Sequence, residues 1–185
     1  MPPLTLITGP SRSGKSEWAE HLAERSPRSV LYIATAQMDP TDAEWQARIL
    51  KHQQRRPAHW RSRHVPHELA IALQTAAAKD CLLIDSLGTW LANAIDQTDD
   101  AWQIQATALL DSLQQTAAEV ILVTEEVGWG VVPAYPLGRA FRDRLGSLTR
   151  QVGAIADAAY LVTAGYVLDL QHLGQHIDRL ENQRE

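Results

Sequence analysis

The chain has 185 residues, 45% of them hydrophobic, and a net charge of −5, which predicts one globular domain and argues against a protein that coats nucleic acid. The single cysteine, Cys81, excludes an intramolecular disulfide and a cysteine-rich zinc site, so we expect a protein of the reducing cytoplasm. No apolar run approaches the roughly 18 residues that a membrane-spanning helix needs.

Apolar runs alternate with amphipathic segments along the first half of the chain, and they predict strands and helices in turn. A short buried strand over Leu4–Thr8 leads into Gly9-Pro10, which is typical of a tight loop. Glu44 lies three residues after Thr41, a spacing that predicts a helix capping box. The further elements expected up to residue 95 are a helix from Ser16 to about Glu24, a strand over Val30–Ala34, a helix from Thr41 to about Gln54, a strand over Trp60–Val65, a helix over His67–Ala78, a strand over Cys81–Ile84 and a helix from Ser86 to about Ile95.

The second half continues the alternation after a polar loop at Asp96–Asp100. We expect residues 1–170 to form one domain and residues 171–185 to form a polar tail with a loosely held helix. The elements expected in the second half are a helix over Trp102–Ala118, a strand over Val120–Thr124, a loop over Glu125–Pro136, a helix over Leu137–Ile155 and strands over Ala159–Thr163 and Val167–Leu170.

This order of elements predicts an α/β fold in which a mostly parallel central sheet carries helices on both faces. In such folds, ligands bind beyond the carboxyl ends of the strands. We therefore expect the functional site to lie among the segments that follow the predicted strands. These segments are Gly9–Ser16, Thr35–Gln37, Asp85-Ser86 and Glu125-Glu126.

The segment Gly9–Ser16 matches the phosphate-binding pattern G-x-x-x-x-G-K-[ST] at every position, between a predicted strand and a predicted helix. Backbone N–H groups of such a P-loop, together with the positive end of the helix, bind the phosphates of a nucleotide. We expect Lys15 to contact the β and γ phosphates and the Ser16 hydroxyl to bind Mg²⁺. A chance match in a glycine-containing loop is the alternative. The predicted nucleotide-binding residues of this segment are Gly9, Pro10, Ser11, Arg12, Ser13, Gly14, Lys15 and Ser16.

An apolar strand that ends in a carboxylate, Cys81–Asp85, has the shape of the partner motif of many P-loops. Asp85 is therefore a candidate Mg²⁺ ligand, directly or through water, and its alternative role is to cap the next helix. A guanine-reading Asn-Lys-x-Asp motif is absent because none of the three lysines follows an asparagine, which argues against a regulatory GTPase. A nucleotide kinase and a RecA-like ATPase remain open.

Histidine and arginine side chains lie close together in the segment before Pro57. On a helix, Arg48 and His52 are one turn apart and share a face with Arg55 or Arg56. Neighbouring guanidinium groups favour the neutral imidazole, which is a nucleophile, and they bind phosphate oxygens. His52 is thus a candidate for attack on a nucleotide phosphorus. Its alternative is a half-buried histidine on a helix with a solvated arginine face.

These residues together make the sequence similar to a known family. The chain resembles the bifunctional adenosylcobinamide kinase and adenosylcobinamide-phosphate guanylyltransferase of cobalamin biosynthesis over roughly residues 4–168. The P-loop is common to many families, whereas the His52 segment and the loop Glu126–Pro133 are far more specific. The matching stretches are Ile7–Ser16, Leu31–Thr35, Ala47–Ile49 with His52, Arg56–Trp60, the strand ending at Asp85, Val123–Pro133, Phe141–Asp143 with Gly146, and Tyr160–Thr163.

The resemblance implies a P-loop NTPase fold of the RecA-like type and two successive reactions. In the first, ATP or GTP phosphorylates the aminopropanol hydroxyl of adenosylcobinamide. In the second, GTP guanylylates a histidine, here His52, and the GMP passes to adenosylcobinamide phosphate to give adenosylcobinamide-GDP. The resemblance also implies a homo-oligomer, a trimer in the best-known form, with sites near subunit boundaries. The nucleotide-binding positions that it implies beyond the P-loop are Thr35, Ala36, Gln37, Gln53, Gln54, Arg55, Arg56 and Asp85.

Glu126 follows a predicted strand beside the expected phosphates, so it is a candidate to orient or deprotonate the substrate hydroxyl, or else it anchors the following loop. The chain also departs from the family pattern. Lys51 stands where some relatives carry a second histidine, His64 where a carboxylate is frequent, and Glu125 and Thr149 where asparagine is frequent. Two other functions stay open: a P-loop kinase of another small metabolite, and a RecA-like nucleotide-binding module without catalysis.

Overall fold

The computed structural model describes residues 2–37, 41 and 56–177. Beyond Thr41 itself, the helix predicted from Thr41 to Gln54 lies outside the described residues. The strands are β1 (Leu4–Thr8), β2 (Ser29–Ala34), β3 (Arg61–His64), β4 (Asp80–Asp85), β5 (Glu119–Val123), β6 (Ala158–Thr163) and β7 (Tyr166–Asp169). The helices are α1 (Lys15–Glu24), α2 (Leu69–Gln74), α3 (Leu87–Ala92), α4 (Asp99–Gln115), α5 (Pro136–Ile155) and α6 (Leu170–Leu173).

The seven strands of the described residues form one sheet, in the order β3-β2-β4-β5-β1-β6-β7. All neighbouring pairs are parallel except the last, because β7 returns antiparallel to β6. The tight turn between β6 and β7 contains Ala164 and Gly165, both with positive φ. The predicted mostly parallel sheet is confirmed, and its single antiparallel strand lies at an edge.

Buried side chains of the central strands alternate between the two faces of the sheet, as the two-residue period of a strand requires. On one face, Leu82, Ile84 and Leu122 pack in a cluster with residues of α2, α3, α4 and α5. On the other face, Leu83 and Ile121 pack in a second cluster with two alanines of α1. The prediction of helices on both faces is therefore confirmed. None of the helices in the described ranges combines the length and the apolar composition that crossing a bilayer requires.

The carboxyl ends of four parallel strands lie side by side along one border of the sheet, which we call the carboxyl edge. Ala34 of β2 lies beside Asp85 of β4, and Asp85 lies beside Val123 of β5. Val123 in turn lies beside Ile7 of β1. The segments that follow these four strands therefore begin side by side, as the fold class predicted.

The start of α4 differs from the prediction. The helix begins at Asp99, three residues before Trp102, and the Thr98 hydroxyl accepts a hydrogen bond from the Ala101 N–H at 3.3 Å. The polar stretch before Trp102 had the composition of a loop, but its last two aspartates lie in the first helical turn. Acidic side chains are favourable there because of the helix dipole.

Candidate active site

The P-loop between β1 and α1 depends on glycine at two positions. Gly9 has φ of 154°, and a Cβ atom there would lie 2.0 Å from the carbonyl oxygen of Val162 on β6. Gly14 caps α1 in the left-handed conformation with φ of 102°. Side chains at these positions would strain the backbone or collide with β6. The glycines of the motif therefore set the path of the loop.

Two polar side chains of the P-loop are buried inside it. Lys15 is only 8% exposed, and its Nζ donates a hydrogen bond to the carbonyl oxygen of Pro10 at 2.7 Å. The Ser13 hydroxyl is buried without a hydrogen-bond partner among the described residues. An ammonium group and an unpaired hydroxyl enclosed by a loop of backbone N–H groups suit the oxygens of a phosphate chain.

Asp85 ends β4, and its partner is a tyrosine of the neighbouring strand. The Tyr32 hydroxyl donates to Oδ2 of Asp85 at 3.0 Å, and the guanidinium carbon of Arg56 lies 3.2 Å from the centre of the Tyr32 ring. Burial raises the pKa of Tyr32, and the Asp85 carboxylate raises it further. The hydroxyl therefore stays protonated and donates. The three side chains form a cluster that we call the Tyr32 cluster.

Asp85 does not cap the helix that follows it. Ser86 is the N-cap of α3, and its side chain and that of Thr89 form a capping box. The Ser86 N–H donates to the Thr35 hydroxyl at 2.8 Å, and that hydroxyl donates to the Ser86 carbonyl at 2.6 Å. The Thr35 side chain, predicted to bind nucleotide, is thus engaged inside the turn, and the Asp85 carboxylate is left to the Tyr32 cluster.

Glu125, which follows β5, accepts two hydrogen bonds from the turn at Ser86 and the start of α3. Its Oε1 accepts a hydrogen bond from the Ser86 hydroxyl at 2.5 Å, and its Oε2 accepts one from the Gly88 N–H at 3.0 Å. Burial raises the pKa of the Glu125 carboxyl, and the hydrogen bond from Ser86 opposes that shift. A carboxylate at this position therefore ties β5 to the start of α3.

Replacing Glu125 with glutamine is expected to change how stability depends on pH. Because the pKa of Glu125 lies above its ordinary 4.5, the folded protein binds a proton there more tightly than the unfolded chain does. That contribution is fully present below the unfolded pKa and is lost as the pH rises through the folded pKa. The advantage of wild type over Glu125→Gln in the free energy of unfolding should therefore fall with rising pH, by at most about 1.4 kcal/mol per pH unit.

Urea unfolding of both proteins across a series of pH values above about 4.5 measures this difference. An advantage of wild type that stays constant or grows with pH would show that burial does not raise the pKa of the Glu125 carboxyl.

Glu126 connects the P-loop to the loop that follows β5. Its backbone N–H donates to the Gly9 carbonyl at 2.8 Å, and its carboxylate accepts a hydrogen bond from the Gly128 N–H. The rest of the loop is held by α5, since Arg142 donates to the Gly128 carbonyl at 2.7 Å and Arg139 donates to the Ala134 carbonyl at 2.7 Å. Several apolar side chains of this loop are exposed, namely Trp129, Val131, Val132 and Tyr135.

The structure brings most of the described candidate residues to the carboxyl edge of the sheet. Asp85 is the last residue of β4, and the P-loop, Thr35–Gln37 and Glu126 follow β1, β2 and β5, which end there too. The candidate nucleophile and the three residues after it, His52, Gln53, Gln54 and Arg55, lie outside the described residues. His64 hydrogen-bonds through Nε2 with the Ala36 carbonyl at 2.6 Å.

Sequence reasoning missed one member of the Tyr32 cluster, Tyr32 itself. The signal was a hydroxyl-bearing side chain inside the otherwise apolar strand Val30–Ala34. A buried tyrosine needs a hydrogen-bond partner for its hydroxyl. The partner is a residue of another strand, so the sequence alone did not identify it.

Fold and P-loop together define the class: the protein has a P-loop NTPase fold and a site for a nucleotide. A solved protein structure from Pyrococcus horikoshii is similar, with a TM-score of 0.56 at 7% sequence identity over 90% of this chain and 85% of that one. An ATPase from the type III secretion system of pathogenic bacteria has a TM-score of 0.50 at 11% identity, over 97% of this chain and 60% of the ATPase. At such identities the similarity supports the fold alone, and it agrees with the fold predicted from the sequence.

The sequence places the protein within that class. A family model described as cobinamide kinase / cobinamide phosphate guanyltransferase matches residues 5–170, and the chain belongs to this family of transferases. It is 41% identical over 169 residues to the bifunctional adenosylcobalamin biosynthesis protein CobP of Pseudomonas aeruginosa, covering 90% of this chain and 96% of that protein. It is 36% identical over 177 residues to the corresponding CobU protein of Salmonella typhimurium, covering 88% of this chain and 96% of the relative.

Proposed function

We propose that the protein phosphorylates the aminopropanol hydroxyl of adenosylcobinamide and then transfers GMP from GTP to the product, giving adenosylcobinamide-GDP. The observation that carries this proposal is a complete P-loop, with Lys15 buried inside it, in a chain that belongs to the cobinamide kinase / cobinamide phosphate guanyltransferase family over residues 5–170. The relatives from Pseudomonas aeruginosa and Salmonella typhimurium are both named bifunctional proteins of adenosylcobalamin biosynthesis.

In the kinase reaction, the P-loop holds the phosphates of ATP or GTP, and Lys15 neutralises charge on the β and γ phosphates. The acceptor hydroxyl attacks the γ phosphorus, the bond to the bridging oxygen breaks, and a nucleoside diphosphate leaves. We assign to Glu126 the role of orienting that hydroxyl or taking its proton, and the hydrogen bond from its backbone N–H to the Gly9 carbonyl at the start of the P-loop supports this assignment. Arg56, within the Tyr32 cluster, supplies a second cation for phosphate oxygens.

Mg²⁺ fits the donor set at the carboxyl edge of the sheet. Asp85 and Ser16 offer the oxygen ligands that this ion prefers. Among the described residues, no group of three or more His, Cys, Asp or Glu side chains is arranged to hold a metal ion. Mg²⁺ that is shared with nucleotide phosphates and water needs no such group, because one or two protein oxygens suffice. When bound, the ion would neutralise phosphate charge, and Asp85 and Ser16 are the residues that would hold it.

Asp85→Asn is expected to raise the Mg²⁺ concentration for half-maximal turnover by at least about tenfold, with the fold intact. An amide oxygen lacks the charge of a carboxylate and is a poorer Mg²⁺ ligand, yet it can still accept the hydrogen bond from Tyr32. Turnover is titrated against Mg²⁺ for both proteins, with circular dichroism as the check on folding. Asp111→Asn, at an exposed position of α4, is the matched control. The same Mg²⁺ dependence in Asp85→Asn as in wild type would remove Asp85 from the metal site.

In the guanylyl-transfer reaction, an imidazole nitrogen of His52 attacks the α phosphorus of GTP. A phosphorus–nitrogen bond forms, the bond to the oxygen that bridges to the β phosphate breaks, and pyrophosphate leaves. A phosphate oxygen of adenosylcobinamide phosphate then attacks the same phosphorus, and the histidine is released. The covalent intermediate divides one difficult displacement into two easier ones.

The family resemblance extends the proposal to the assembly and its location. We infer a cytoplasmic homo-oligomer, a trimer by resemblance, in which residues 1–170 form the catalytic domain and residues 171–185 a tail. The first part of that tail rests on the domain, since Gln171 donates to the carbonyl oxygen of Ala156 at 3.1 Å.

GTP labelled with radioactive phosphorus at the α position tests the proposed function. Label that stays on the protein in base and is lost in acid supports a guanylyl-histidine intermediate. If no label is found but ATP or GTP consumption depends on a small-molecule acceptor other than a corrinoid, the protein is a kinase of another metabolite. If nucleotide binds and is never consumed with any acceptor, the protein is a nucleotide-binding module without catalysis.

A further inference from the structure

The side chain of Tyr32 makes two contacts within the candidate site, one through its hydroxyl and one through its ring. We propose that Tyr32 is a positioning residue whose hydroxyl orients the Asp85 carboxylate while its ring seats the Arg56 guanidinium. The inference rests on the proposed function, because it assigns Asp85 to Mg²⁺ and Arg56 to nucleotide phosphates. It adds a residue that touches neither ligand and acts through two that do.

The hydrogen bond from the Tyr32 hydroxyl to Asp85, which we call the hydroxyl arm, follows from the pairing of β2 with β4. Tyr32 lies opposite Leu83, and Ala34 lies opposite Asp85 two residues further along. Residues two apart share a face of a strand, so the tyrosine side chain extends along that face toward the carboxylate. The result is the 3.0 Å hydrogen bond to Oδ2 of Asp85. This bond restricts rotation of the carboxylate, and we assign the other oxygen, Oδ1, to the cation.

The contact of the Tyr32 ring with the Arg56 guanidinium is what we call the ring arm. The guanidinium carbon lies 3.2 Å from the ring centre of Tyr32, which is a cation–π arrangement. The Nε of Arg56 is buried and has no hydrogen-bond partner among the described residues. A guanidinium held over the face of a ring has N–H groups at its edges that can bind phosphate oxygens. The ring therefore holds in place a cation whose Nε has no hydrogen-bond partner among the described residues.

The two arms predict two separable effects on nucleotide binding. Tyr32→Phe removes the hydroxyl and keeps the ring, so the Mg²⁺ concentration for half-maximal binding of a GTP analogue should rise several-fold. Affinity at saturating Mg²⁺ should stay close to wild type, because Arg56 keeps its support. Tyr32→Leu removes both arms, and its affinity should also fall several-fold at saturating Mg²⁺. If Tyr32→Leu does not fold, Arg56→Ala takes its place and should show the same loss at saturating Mg²⁺.

Calorimetric titration with guanosine 5′-(β,γ-imido)triphosphate at a series of Mg²⁺ concentrations measures both effects without any turnover. Tyr160→Phe is the matched control, because it removes a tyrosine hydroxyl from β6 of the same sheet and should bind as wild type does. In an Asp85→Asn background, Tyr32→Phe should add nothing to the Mg²⁺ requirement, since the hydroxyl acts through the carboxylate.

Each outcome bears on one assignment. If wild-type binding depends on Mg²⁺ and Tyr32→Phe binds as wild type does, the role of the hydroxyl is wrong and the proposed function stands. Additive effects of Tyr32→Phe and Asp85→Asn would also overturn the hydroxyl arm. Unchanged affinity of Tyr32→Leu, or of Arg56→Ala, at saturating Mg²⁺ would overturn the ring arm. Binding by wild type that ignores Mg²⁺ would overturn the metal role of Asp85 in the proposed function, and the hydroxyl arm with it.

Discussion

With Lys15 replaced by alanine, we expect both the kinase and the guanylyl-transfer activities to fall by at least about 100- to 1,000-fold while the protein stays folded. The Lys15 ammonium is enclosed by the P-loop and hydrogen-bonds to the carbonyl of Pro10. Both reactions start from a triphosphate in that loop, and alanine leaves its negative charge without this cation. Steady-state rates of both reactions, with the affinity for the triphosphate, measure the loss.

Lys79→Ala is the matched control, because Lys79 is exposed and lies just before β4, at the amino end of the strand that carries Asp85 at its other end. It removes the same charge from the protein far from the P-loop and should leave both rates unchanged. Circular dichroism of both variants checks the fold. Near-normal turnover by folded Lys15→Ala would remove the P-loop from the mechanism.

Replacing His52 with alanine is expected to abolish labelling of the protein from GTP and to lower guanylyl transfer by at least about 1,000-fold. The reason is that the imidazole forms the covalent bond to GMP, which the methyl group of alanine cannot form. Much of the kinase activity should remain, because phosphoryl transfer depends on the P-loop, the metal and in-line positioning. The two activities are measured separately, the second with adenosylcobinamide phosphate as the acceptor.

His59→Ala is the matched control for this variant, since His59 is an exposed histidine near the same segment of the chain. It should keep labelling and both activities. Mass mapping of the labelled wild-type peptide identifies the modified residue directly. Persistent labelling of His52→Ala, or a modified peptide that contains His59 or His64, would show that the nucleophile is another residue even though the family is right.

Local patterns in the sequence were sufficient for the strands and for the P-loop. β1 was predicted at its observed bounds, Leu4–Thr8, because a strand buried on both faces of a parallel sheet is a continuous apolar run. The P-loop is equally local, since its glycines and Lys15 lie within eight consecutive residues. The helix start at Asp99 was missed because a capped acidic first turn and a polar loop have the same composition.

The family, too, was determined by the sequence, because its specific motifs are short stretches that can be matched without coordinates. A helix from Ser86 was predicted from the sequence, and the structure shows Ser86 as the N-cap of α3. What this reasoning left open at Asp85 was a choice between cap and metal ligand, since both roles suit a carboxylate at the end of a strand.

Only the tertiary structure decided which side chains meet at the candidate site. Tyr32 and Asp85 are 53 positions apart, and they touch because β2 pairs with β4 in one register. Glu125 reaches Ser86, 39 positions away, because β5 lies on the other side of β4. Strand order and register depend on how the whole core packs, and no local propensity encodes them. The residues of the P-loop could therefore be recognised in the sequence. The Tyr32 cluster and the hydrogen bonds that Glu125 accepts from Ser86 and Gly88 could be identified only from the assembled sheet.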